Sequence, residues 1–390
     1  MSSYVRIVMI FCLMLGVASS AVAQNQNIEK MLVKAGFENV SRTLSGDEEI
    51  ITLEASQFTT NSAAAKNSAE IAREFNIPQG KTRRVVLLET GVPRLSFVTN
   101  DNEKWNATYD LGNDWLSVVR GKKYNSSLFK VDLIVHPQIA YKNAYLDQVY
   151  EWVFNLSPAL EMSPLPGMKL TAQLVIPIYN DRMGKSYSRV RPGHLTIRQA
   201  ARIENVFAEL TVGCFDEKRW GVDLTAIRPL SNDGILSRFS LMGRVGLTGY
   251  SSFYDWEWYV GPLKLWTWYF GVSYYNNRSN VQVDLKLERF LANDKGVRCD
   301  VMRHFANCSI GAYAMLNEFD DFDAGFRFAI ALPPYKTKRG KYGRVRPARY
   351  FKLDNTIGSF LYRGHSYTTK PANNIAEWNY NPGYMESYMR

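Results

Sequence analysis

Val281-Gln282-Val283-Asp284-Leu285-Lys286-Leu287-Glu288 puts an apolar side chain at every odd position and a polar or charged one at every even position. A period of two gives a strand with one apolar and one polar face; a helix would need a period near 3.6. The pattern recurs on both sides. Phe129, Val131, Leu133 and Val135 alternate with Lys130, Asp132 and His136. Leu170, Ala172, Leu174, Ile176 and Ile178 alternate with Lys169, Thr171 and Gln173. Trp220 to Ala226, Phe239 to Leu247 and Phe326 to Leu332 repeat it. Roughly 12 such segments fall between residues 128 and 363, a number suited to a membrane barrel of modest size.

Two architectures use strands of this kind. A soluble sandwich turns its apolar faces inward, and an outer-membrane barrel turns them toward lipid. The segments run to about ten residues, the length a tilted membrane strand needs. Aromatic residues crowd the segment ends: Tyr250, Phe253, Tyr254, Trp256, Trp258 and Tyr259, then Trp266, Trp268 and Tyr269. Amphipathic rings favour the lipid–water interface. The expected fold is therefore mainly β: an outer-membrane antiparallel β-barrel of about 12 strands, preceded by a small α/β domain. A secreted β-rich glycan-binding protein is the alternative, with the tryptophans as a sugar-stacking platform.

The N-terminus supports export. Arg6 precedes an apolar run from Ile7 to Ala18, and Ala21-Val22-Ala23 has the small-x-small form of a cleavage site. Residues 1–23 are read as a signal peptide, too short to span a bilayer as an ordinary helix. Residues 24–104 read as a small periplasmic α/β domain. Ile28, Met31, Leu32 and Ala35 share a helix face, two strands follow, Asn61 opens a second helix, and a hairpin turns at Gly91. Residues 105–127 are expected to link this domain to a barrel over 128–367, leaving a C-terminal tail over 368–390.

The net charge of +10 comes without a dominant basic block, so it speaks only weakly for acidic partners and gives no case for nucleic acid. With four histidines and four cysteines in the whole chain, none of them closely grouped, neither a metal site nor a cofactor is expected. His136, His194, His304 and His365 are scattered and stand in no nucleophile motif, so a non-enzyme is expected, with a barrel-type envelope hydrolase as the weaker possibility. Past the leader only Cys214, Cys299 and Cys308 remain, an odd number beside apolar stretches. If Val301 pairs with Ala312, Cys299 faces Ala314, and Cys308 lies about 20 Å away at ~3.3 Å per residue, too far for a disulfide.

The stretch Gly296-Val-Arg-Cys-Asp-Val-Met-Arg303-His-Phe305, its continuation Cys308-Ser-Ile-Gly-Ala-Tyr313, and Gly325-Phe-Arg-Phe-Ala-Ile-Ala-Leu-Pro333 resemble motifs of the YjbH-type exopolysaccharide-biosynthesis family, which includes a group 4 capsule component. Leu32 to Val40 and Glu70 to Phe75 resemble the opening of a small domain in that family. The resemblance implies an outer-membrane barrel of a Gram-negative bacterium that assists export or assembly of an exopolysaccharide or capsule, without a catalytic site to carry over. Its partners would be outer-membrane lipid, the polysaccharide, and other envelope export proteins met through the N-terminal domain.

By strand parity, the side chains expected to line the lumen and touch glycan are Arg238, Arg244, Asp284, Lys286, Glu288, Arg298, Asp300 and Arg327. Asp300 and Arg303 should face opposite ways on a regular strand. The segment Lys336 to Pro347 carries six cations in twelve residues and reads as a solvated loop or as a contact for lipid phosphate or acidic glycan.

Overall fold

The computed structural model describes residues 27–143, 150–182, 184–215, 218–254, 256–318, 322–358, 366–371, 376 and 379–389. The expected signal peptide, residues 1–23, lies outside them, as does His365.

The N-terminal domain begins with α1 (Ile28–Lys34), then β1 (Glu38–Ser45), β2 (Glu48–Glu54), α2 (Asn61–Arg73), β3 (Thr82–Glu89), β4 (Val92–Thr99), β5 (Asn106–Thr108) and α3 (Trp115–Arg120). Thr60, one residue before the expected Asn61, caps α2: its hydroxyl accepts from the Ala63 amide at 3.2 Å. Ala64, Ala65, Ala69 and Ala72 form a small-residue stripe that lets α2 lie close on the sheet, against Phe37, Leu53, Val85, Leu95 and Phe97. The sheet order is β1-β2-β3-β4-β5, with β2 and β3 parallel and every other pair antiparallel. Arg83 is fully buried in it. Its guanidinium pairs with Glu49 at 2.6 Å and donates to the carbonyls of Ala72, Phe75 and Asn76, satisfying the otherwise open C-terminal end of α2. The stretch 105–127 is more than a link, because β5 extends this sheet and α3 packs beside Val86 and Leu88.

The remaining strands make one sheet. They are β6 (Val131–Asn143), β7 (Tyr150–Met162), β8 (Met168–Asp181), β9 (Arg191–Ile203), β10 (Val206–Phe215), β11 (Arg219–Pro229) and β12 (Phe239–Tyr254), followed by β13 (Glu257–Val260), β14 (Leu265–Asn276), β15 (Val281–Arg289), β16 (Lys295–His304), β17 (Cys308–Asn317), β18 (Phe322–Ala331), β19 (Gly343–Pro347) and β20 (Tyr350–Gly358). From β6 to β18 each strand pairs antiparallel with its neighbour in the chain, except that β13 is a short flap on β12 and β14 pairs with β12 directly. The segment 343–358 meets both ends of this order: β19 runs parallel to β6, and β20 runs antiparallel to β18. The expected register holds at β16–β17, where Val301 faces Ala312 and Cys299 faces Ala314, and the three cysteines are free.

The faces sort as the alternation requires. Leu174, Ile197, Phe270, Leu285, Leu287 and Phe326 are exposed, whereas Gln173, Thr196, Asp223, Asp284 and Asp300 are buried. Apolar side chains point out and polar ones point in, the reverse of a soluble sandwich. On β16, Asp300 is buried and Arg303 exposed, opposite one another as expected.

The N-terminal domain sits at one end of the sheet. Arg202 donates to the carbonyls of Arg94 and Tyr109, the Gly167 amide donates to Thr90, and Thr108 donates to the carbonyl of Asn232. The aromatic flap lies at the far end, with Trp256 89% and Tyr259 64% exposed. The C-terminal tail returns to the domain: α4 (Pro382–Met389) buries Tyr384, Met385 and Met389 in the same core as α2.

Candidate functional site

The inner polar face carries two ion-pair networks. In the first, Asp300 on β16 accepts from three cations: Lys286 Nζ at 3.1 Å, Arg298 Nε at 2.9 Å and Arg327 Nη1 at 2.8 Å. Cross-strand register sets Asp284 opposite Asp300 and Lys286 opposite Arg298. Like charges directly opposite repel; the diagonal Lys286–Asp300 pair converts that arrangement into attraction. Arg298 and Arg327 both lie over the Tyr313 ring, at 4.6 and 5.0 Å. Asp284 accepts from Ser273 at 2.6 Å and from Gln282. Glu288 is next along the inward row of β15, with its Oε2 buried and without a partner among the described residues.

The second network centres on Asp223 of β11. Its Oδ2 accepts from Arg244 Nε at 2.7 Å and from the Tyr367 hydroxyl at 2.6 Å. Tyr367 belongs to the segment after β20. Its ring stacks on Phe215 at 5.3 Å and lies under the Arg244 guanidinium at 4.3 Å. Gly246 makes room for it, since a Cβ there would fall 1.8 Å from the Tyr367 oxygen. The tail runs on along the inner face. Thr368 meets His194 Nε2 at 3.1 Å, His194 Nδ1 meets Gln173 Oε1 at 2.9 Å, and Lys370 pairs with Glu209. The segment 367–370 thus covers part of the polar face.

Seven of the eight expected lining residues therefore lie on inner-face strands, and four of them, Lys286, Arg298, Asp300 and Arg327, join in one cluster. Arg238 departs from the expectation: it closes a short 3₁₀ turn before β12, at the end facing the N-terminal domain. Arg244 and Arg327 are neutralised by carboxylates of the protein itself.

Sequence reading missed the groups at the junction with the N-terminal domain. The segment 336–347 is solvated only in part: Lys336, Lys338 and Lys341 are exposed, whereas Arg339, Arg344 and Arg346 are half-buried. Arg339 pairs with Glu38 and with Asp132, and Arg344 pairs with Asp132 at 3.0 Å and donates to the carbonyl of Ser56. Two carboxylates far apart in sequence draw the cations in, one from β1 and one from β6. A cavity of about 130 Å³ lies here, between domain and sheet. His136 lines both this cavity and a second of about 300 Å³, which lies between β6 to β9 and the tail at Thr368 and Pro371. Among the described residues no group of three or more histidine, cysteine or carboxylate side chains is placed to hold a metal ion.

Residues 259–338 match the family model described as exopolysaccharide biosynthesis protein YbjH, the YjbH family. The match spans β14 to β18, the strands that carry the Asp300 cluster, and supports the resemblance seen in the sequence motifs. No curated protein and no solved structure matches the chain.

Proposed function

We propose that β6 to β20 form an outer-membrane barrel of a Gram-negative bacterium, closed by the segment 343–358, with the N-terminal domain in the periplasm. Its role is to help an exopolysaccharide or capsular glycan reach or cross the outer membrane, without catalysing a reaction on it. The observation that carries the reading is the inversion of the sheet: apolar rows face outward and charged rows inward on strand after strand. In water the outward rows would form an exposed apolar surface far larger than a monomer tolerates; in lipid they are correctly solvated. The exposed aromatic flap suits the far interface. The family match supplies the glycan. The same exposed rows argue against a secreted glycan-binding protein.

Two measurements test this. Membrane-extracted protein should run faster on a gel unheated than boiled; a wholly soluble species would end the barrel reading. A deletion strain should retain intracellular glycan and lose it from the surface; normal surface glycan would end the export reading.

A further inference from the structure

We infer that the cavity between the N-terminal domain and the sheet is a binding site for the carboxylate groups of an acidic saccharide, with Arg346 as its main anchor. The inference rests on the export reading and narrows it to a substrate class.

The cavity wall carries eight lysine and arginine side chains and four carboxylates. Most of the cations are already engaged. Lys130 and Arg339 meet Glu38, Arg344 meets Asp132, Lys169 meets Glu161, and Lys370 meets Glu209. Arg346 differs: among the described residues it makes no hydrogen bond or ion pair, and its Nε is buried without a partner. The Nε groups of Arg339 and Arg344 are in the same position. A buried guanidinium N–H without an acceptor is costly, and an anion supplying that acceptor removes the cost. Planar guanidinium groups suit a carboxylate because two parallel N–H bonds can form.

A second cavity of about 300 Å³ sharing a wall residue with the first favours a saccharide chain over a lone anion. His136 lines both cavities, and the wall of the second offers the amides of Gln138, Asn155 and Gln173. These serve hydroxyl groups as donors and acceptors. Further along stand Lys352, Arg191 and Lys218, the last two toward the end of the sheet away from the N-terminal domain. The second cavity lies between β6–β9 and the tail, whereas the Asp300 and Asp223 networks are satisfied by their own carboxylates.

The test uses the full chain refolded into lipid bilayers, with binding followed by calorimetry. Oligogalacturonate is the acidic probe, maltohexaose the neutral one, and inorganic phosphate the lone-anion control. Oligogalacturonate should bind, more weakly as salt rises, and maltohexaose should not. Arg346→Gln should weaken oligogalacturonate binding by at least about tenfold, the lower range for one charge-assisted bond. Equal binding of both oligosaccharides would overturn the inference, as would phosphate binding as tightly as oligogalacturonate, or an unchanged affinity in a folded Arg346→Gln protein. If that variant fails to fold, the wild-type comparison of the probes still decides. Acidic binding together with normal surface glycan in the deletion strain would remove the export reading and leave the site.

Discussion

Leu285 stands at the middle of β15, 55% exposed, with Val272 and Cys299 as its cross-strand neighbours on the outward face. Replacing it with arginine separates two solvents. On a surface facing water, such a change stays within about 0.5 kcal/mol, since no contact or hydrogen bond is lost. At the midplane of a bilayer it costs roughly 2–4 kcal/mol. Taking about 3 kcal/mol, the folding equilibrium falls by more than about a hundredfold. Depth gives an internal control. Phe322, 61% exposed, opens β18 at the end away from the N-terminal domain, so Phe322→Arg should cost only about 0–1 kcal/mol. Urea titrations of folding into lipid bilayers would compare both variants with the wild type. A Leu285→Arg penalty below about 0.5 kcal/mol, or one equal to that of Phe322→Arg, would refute the outward face as a lipid face.

Three further outcomes are expected. Arg83→Ala should cost roughly 3–5 kcal/mol, because it breaks a fully buried ion pair, leaves Glu49 with Arg42 alone, and strips the carbonyls of Ala72, Phe75 and Asn76 of their donor; faster amide exchange over residues 48–99 in the full chain would report it. Burial, and then the nearby Glu38, raise the Glu54 carboxyl above its ordinary pKa of 4.5. A raised folded-state pKa gives stability that is full below the unfolded pKa and is lost as pH rises through the folded value. Glu54→Gln should therefore raise the melting temperature at pH 7.5 and change it little at pH 4; a larger gain at pH 4 would reverse the sign. Removing residues 366–390 takes away Tyr367 and Lys370 from the inner face, so single-channel conductance of the refolded protein should increase, and unchanged conductance would show that the tail does not restrict the lumen.

Much of this architecture is local chemistry and is legible in the chain. Alternation from Val281 to Glu288 sets Leu285 outward and Lys286 inward whatever the strand pairs with, because side chains on a pleated strand alternate by covalent geometry. Short turns then fix register, which is why Cys299 faces Ala314. Parity likewise placed Asp284, Lys286, Arg298, Asp300 and Arg327 on one face, and the sharing of Asp300 by Lys286, Arg298 and Arg327 follows from neighbouring strands. What the chain did not disclose is long-range. Arg339 and Arg344 look like part of a solvated loop until Glu38 and Asp132 are brought beside them. Tyr367 reads only as the last residue of the barrel segment until it stacks on Phe215 and bonds Asp223, 144 residues away. Strand parity states which face a charge occupies; which charges meet, and which cation is left without a partner, depends on elements distant in sequence that only tertiary packing brings within hydrogen-bonding range.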